Sequence, residues 1–177
     1  MSARRIFAGF VAVCSRCMRA HRYARALGRG PSRRFLLQTA PNPITAMGAA
    51  ALYRCLRVNA TLTELNVGYN CLGDAGTASI AKAIGGVFGC HCRLQVLSLA
   101  YNGMTADGCE ALAASIAANT TLTSLDISGN NVGCKAAAGV VRASLTSKAL
   151  RTLKLTACGF VEDGTSRAAC LRVSTRR

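Results

Sequence analysis

Two short clusters in this 177-residue chain carry side chains that could hold a metal ion: Cys14-Ser15-Arg16-Cys17 and Cys90-His91-Cys92. Either could donate two soft ligands to zinc, but a structural site needs four, and neither pair has a partner pair at finger spacing. The competing reading takes them as incidental thiols, the first in an amino-terminal helix and the second in a loop. Acid–base and nucleophilic chemistry fare no better. The histidines are His21 and His91 alone, and Glu162 and Asp163 are adjacent in a turn rather than paired across a pocket. Gly85-Gly86-Val87-Phe88-Gly89 is no phosphate loop by pattern; it reads as a long helix-to-strand connection, with a binding loop as the alternative. No catalytic residue and no cofactor are therefore expected.

The polar chemistry that does recur is that of the amide. Asn42, Asn70, Asn102 and Asn130 stand in one phase, with Cys158 in the next slot, at intervals of 28, 32, 28 and 28 residues. Each sits ninth in the same apolar frame, which identifies a tandem repeat. In Leu122-Thr123-Ser124-Leu125-Asp126-Ile127-Ser128-Gly129-Asn130-Asn131-Val132, aliphatics hold places one, four, six and eleven. Leu62, Leu65, Val67 and Leu72 match it, as do Leu94, Leu97, Leu99 and Met104, and then Leu150, Leu153, Leu155 and Phe160. A half of helical period follows each frame: Gly76, Ile80 and Ile84; Gly108, Leu112 and Ile116; Ala136 and Val140; Gly164 and Ala168.

This pattern resembles the leucine-rich repeats of the ribonuclease-inhibitor-like subtype, in which Asn and Cys both serve at the ninth place. The resemblance implies an α/β solenoid, a partial horseshoe of about 4–5 repeats with a concave parallel β-sheet and convex helices, covering residues 35–172. A weaker first unit would contain Leu37, Asn42, Ile44, Gly48, Leu52 and Leu56, with Arg34 and Thr39 in place of two aliphatics. One such strand cannot cover its own apolar face, so neighbours must stack. The asparagine amide, donor and acceptor together, suits turn groups that a stacked solenoid buries. Asn42, Asn70, Asn102, Asn130 and Cys158 are thus expected to be structural.

In the geometry that the resemblance implies, a protein partner would meet the residues flanking the inward leucines: Glu64 and Asn66; Val96 and Ser98; Ser124, Asp126 and Ser128; Thr152 and Lys154. Gly68, Ala100 and Thr156 complete the rows, and Tyr69 and Tyr101 should stack at the strand exits. The alternative is an ordinary solvated sheet face. Nucleic acid is not expected there, because Glu64, Asp126 and Lys154 sum to −1 and a phosphate-tracking groove needs a run of positive charge. Arg57, Arg93, Lys148 and Arg151, on the loops entering the strands, would be the better place for it. The expected function is a non-catalytic interaction module or scaffold. A regulator of a small GTPase, like the Ran-activating proteins that share the subtype, is the alternative, although the acidic tail typical of those proteins is missing.

Charge and cysteine usage bear on location. Residues 1–34 hold nine arginines and no acid, whereas residues 35–177 hold thirteen basic and seven acidic residues. The basic segment reads as an amphipathic mitochondrial transit helix, with Ile6, Phe7, Phe10 and Val11 opposite Arg5, Arg16 and Arg19, or as a degenerate repeat or cap, Cys14 lying 28 residues before Asn42. A signal-peptide core over Ile6 to Cys14 is a further reading, and basic contact with RNA another. Cys55, Cys109 and Cys170 on helices, Cys158 in the frame and Cys71 and Cys134 in turns suggest reduced thiols and a cytoplasmic protein, with mitochondria as the alternative. No apolar run is long enough to cross a bilayer. The last helix is expected to end at Leu171-Arg172 without a polar cap, and residues 173–177 form a tail.

Overall fold

Leucines at places four and six put two apolar side chains on one side of a strand only three or four residues long, so burial requires a stack of such strands. The computed structural model describes residues 34–36, 44–59, 62–86 and 92–159, with short strands at 161–162, 165–166 and 171–174. Strands and helices alternate: β1 Arg34–Leu36, α1 Ala46–Val58, β2 Glu64–Asn66, α2 Gly73–Ile84, β3 Val96–Ser98, α3 Ala106–Ala118, β4 Ser124–Asp126, α4 Gly133–Thr146 and β5 Thr152–Leu155. β1 to β5 pair in sequence order, all parallel. Helices α1 to α4 pack in a row behind them.

The register is that of the repeat. Leu65, Leu97, Leu125 and Leu153 are mutual partners. These four and Val67, Leu99, Ile127 and Leu155 are each at most 2% exposed. From the helices, Leu52, Ile80, Leu112 and Val140 close the same core at one place in each unit. Gly76 is required by close helix approach, since a Cβ there would lie 3.2 Å from the Ala49 Cβ and 2.9 Å from the Leu72 Cβ. Among the described residues no helix is long and apolar enough to cross a membrane.

The two ends depart from the sequence expectation. In the repeat frame Leu37 belongs opposite Leu65, but the structure pairs Phe35 with Leu65 and Leu36 with Asn66. The backbone pairing is thus slipped by two residues from the repeat frame. The frame is recovered by Ile44, whose carbonyl accepts from the Cys71 N–H at 3.0 Å. Residues 37–43, Leu37 and Asn42 among them, lie outside the described residues.

At the other end, Gly164 and Ala168, expected in a helix, lie outside the described residues, and short strands stand around them. β6 Val161–Glu162 and β7 Thr165–Ser166 pair antiparallel on either side of Asp163-Gly164, a dipeptide that favours a tight hairpin. β8 Leu171–Ser174 then pairs antiparallel with β5, Val173 opposite Leu153 and Leu171 opposite Leu155. It occupies the sheet edge that a further repeat would cover, and it crosses residue 172, where the repeat region was expected to end.

Candidate functional site

Buried amides fasten each turn to the repeat before it. The Asn102 Nδ2 donates to Val67 O at 3.0 Å and Ala100 O at 3.1 Å. The Asn130 Nδ2 donates to Leu99 O at 3.0 Å, Ile127 O at 2.8 Å and Ser128 O at 3.3 Å. Its Oδ1 accepts from the N–H of Asn102 at 3.0 Å and of Met104 at 3.1 Å. Asn70 donates to Val67 O and Gly68 O and accepts from Ile44 N–H. The Cys158 thiol makes two longer contacts, to Ile127 O at 3.5 Å and Thr156 O at 3.6 Å. The Asn102 Oδ1 is buried without a hydrogen-bond partner among the described residues.

A second set of polar residues does the same work at the strand entries, and sequence reasoning missed it. The Asn119 Oδ1 accepts from Thr121 N–H at 2.9 Å and Leu122 N–H at 2.6 Å, while its Nδ2 donates back to Ile84 O. The Asn59 Oδ1 accepts from Leu62 N–H at 2.7 Å, and the Ser147 Oγ accepts from Leu150 N–H at 3.2 Å. The signal was available: Asn59, Asn119 and Ser147 each stand three residues before the first leucine of a frame.

On the concave face, the structure brings the flanking residues into two rows. Glu64, Val96, Ser124 and Thr152 are register partners, and so are Asn66, Ser98, Asp126 and Lys154. The second row is largely satisfied within itself. The Asn66 Oδ1 accepts from Gly68 N–H at 2.9 Å, the Asp126 Oδ1 accepts from Ser128 N–H at 3.1 Å, and the Lys154 Nζ lies 3.5 Å from the Asp126 Oδ2. Ser128 Oγ accepts from Thr156 N–H at 3.2 Å. Gly68 and Ala100 are buried. The face therefore carries hydroxyls, one internal ion pair and the Glu64 carboxylate, a formal balance of −1.

Its conspicuous feature is at the strand exits. The eighth place of each described unit lies in the left-handed region: Tyr69 at φ 59°, Tyr101 at 53°, Gly129 at 70° and Ala157 at 54°. Glycine adopts this conformation freely and a bulky residue does not. Yet two consecutive units place tyrosine there, 64% and 47% exposed. Their rings stack with centroids 4.6 Å apart and planes 12° from parallel. The Tyr101 ring lies over the next unit's glycine, since a Cβ on Gly129 would approach it to 2.4 Å.

The thiols divide by burial. Cys109 is pushed up to about 12 by desolvation, with the neighbouring Cys158 and Glu110 adding to it. Burial also raises Cys158, against the opposing N–H groups of Asn130 and Gly129, and raises Cys55. These are protonated packing groups rather than nucleophiles. Cys71 and Cys134, by contrast, are exposed, and Cys134 is the second residue of α4 rather than part of a turn. Among the described residues no group of three or more His, Cys, Asp or Glu could hold a metal ion. Cys14, Cys17, Cys90, His21, His91 and Cys170 lie outside them.

The profile of the family described as "Leucine Rich repeat" matches residues 58–81, 91–113 and 118–137. The chain is 37% identical to the ribonuclease inhibitor of Sus scrofa over 119 residues, 66% of this chain and 25% of that protein. It is 36% identical to NACHT, LRR and PYD domains-containing protein 12 of Homo sapiens over 148 residues, 78% of this chain and 13% of that protein. It thus spans about a quarter, or less, of the length of these relatives. The solved structure of Leiomodin-1 Actin-Binding Site 2 superposes with a TM-score of 0.52 at 18% identity, covering 65% of this chain and 62% of that one, a likeness of fold.

Proposed function

Because the chain is a leucine-rich repeat protein of the ribonuclease-inhibitor-like subtype, we propose that it is a non-catalytic protein-interaction module whose partner lies on the concave face and against the strand exits. One observation carries this reading: the stacked Tyr69–Tyr101 pair. Left-handed backbone costs a non-glycine residue on the order of 1–2 kcal/mol, and glycine is used at the same place one unit later. Tyrosines held there, exposed and preorganised by mutual stacking, make a contact surface that loses little side-chain entropy on binding. Val96 adds apolar surface, and Ser98, Ser124 and Thr152 add hydroxyls. The Asp126–Lys154 pair contributes register more than attraction, since each charge already has its counterpart.

The test is site-specific photocrosslinking from Val96 in cells, followed by pull-down of the crosslinked protein with Y69A/Y101A and with S98A. Loss of that partner with the tyrosine variant, at unchanged melting temperature, supports the proposal. Undiminished capture refutes it, and stimulation of a GTPase by catalytic amounts of the chain would replace it with a regulator acting on turnover.

A further inference from the structure

We propose that the strand-entry edge of the solenoid is a docking strip for an acidic polypeptide segment, gripped by Arg93, Lys148 and Arg151 with Arg57 beside them. This goes beyond the concave-face reading, because the strip lies on the edge of the sheet rather than on its face. Arg93 immediately precedes Leu94, the first residue of its frame, and Arg151 immediately precedes β5. Lys148 follows the C-cap of α4, Ser147, and Arg57 stands in the last turn of α1 rather than in a loop. All four are exposed.

The helix dipole accounts for Arg57, since a cation at a helix carboxyl end is stabilised by the carbonyls there. It does not account for Arg93 and Arg151, which belong to no helix. Among the described residues Asp126 pairs with Lys154, and Asp74 accepts from the amino-terminal groups of α3.

Two strand steps, about 10 Å at the usual strand spacing, separate the unit that Arg93 enters from the unit that Arg151 enters, and the unit after Arg57 lies one step further. An extended segment of roughly five residues spans that length, with alternate carboxylates about 6.6 Å apart. A polypeptide is favoured over RNA because single-stranded RNA binding uses aromatic platforms. The tyrosine pair lies at the strand exits, at the opposite end of the strands.

The test uses the full chain and a fluorescent decaglutamate peptide, with a decaserine control, a single-stranded RNA decamer and phosphatidylserine vesicles. Charge reversal at the strip, R93E/K148E/R151E, is compared with reversal of the same charge in the basic front segment, R4E/R5E/R16E. The expected result is decaglutamate binding that weakens with salt and falls about tenfold or more in the strip variant but less than about twofold in the front-segment variant. Equal loss in both variants, or tighter binding of RNA or vesicles than of the peptide, overturns the proposal. Urea midpoints confirm that the strip variant is folded, and R93Q/R151Q, which removes charge without reversing it, should show an intermediate loss. None of these readouts involves Tyr69 or Tyr101, so failure here leaves the concave-face reading standing.

Discussion

The Asp74 carboxylate, in the first turn of α2, reaches into the next repeat and caps α3 through Thr105. Its Oδ1 accepts from the Thr105 N–H at 2.7 Å and the Gly108 N–H at 3.0 Å, and its Oδ2 accepts from the Thr105 hydroxyl at 2.8 Å. Thr105 occupies the N-cap position yet makes no side-chain cap bond of its own to α3. The cap is therefore supplied across a repeat boundary, and stacking and helix initiation become one interaction.

Asp74→Ala should cost about 0.5–2 kcal/mol, the usual range for a lost N-cap. Desolvation by itself would raise the Asp74 pKa, but the Thr105 and Gly108 donors outweigh it and the net shift is downward. A lowered folded-state value means that the stabilisation is complete above the unfolded value of about 3.9 and is lost as pH falls through the folded value. Urea denaturation at pH 7 and at a pH below the ordinary carboxylate range should show the gap between wild type and Asp74→Ala closing in acid.

The asparagines at the ninth place are equivalent in sequence and unequal in bonding. Asn130→Ala leaves two N–H groups and three carbonyls to find new partners, so a loss of about 1–3 kcal/mol is expected. Asn102→Ala should cost less, because its Oδ1 makes no bond to begin with. Urea midpoints of the two variants check the order.

Gly129→Ala combines a left-handed backbone with a Cβ driven into the Tyr101 ring. It should destabilise by about 1–3 kcal/mol. Tyr69→Gly should be nearly neutral, because relief of backbone strain offsets a stacking interaction worth about 0.5–1.5 kcal/mol. Calorimetry on the two variants distinguishes strain from stacking, and a large loss for Tyr69→Gly would show that the ring contributes more than its visible contact.

Thiol labelling should follow burial. Cys71 and Cys134 are exposed and should be alkylated by iodoacetamide within minutes at pH 8. Cys109, with its pKa pushed up to about 12, and buried Cys158 should be labelled only on unfolding. Peptide mass spectrometry of native and urea-treated protein reads this directly, and rapid native labelling of Cys109 would contradict its packing.

The repeated frame made the solenoid legible because its signal is redundant: four units carry aliphatics at the same places, and burial of stacked short strands leaves one arrangement that satisfies all of them. The ends were less legible for the same reason. Phe35 rather than Leu37 meets Leu65, and a hairpin and antiparallel strand follow β5, because at an end the pattern is weak and local turn chemistry decides. The Asn59, Asn119 and Ser147 caps were overlooked because one polar residue before a leucine looks like ordinary loop composition.

What the sequence by itself determined is the inward leucines and the buried helical stripes, since periodicity dictates which side chains must be buried; the parallel order of the strands followed from the family resemblance that those residues carry. What only the tertiary structure decided is the state of each polar group. Asp126 is spent on Lys154 and Ser128, Asp74 on the next repeat's helix, and Tyr69 on Tyr101. Apart from the Asp126–Ser128 bond, those relations join residues about one repeat apart in the chain, and spacing within a repeat carries no information about which neighbour's atom lies within hydrogen-bonding reach.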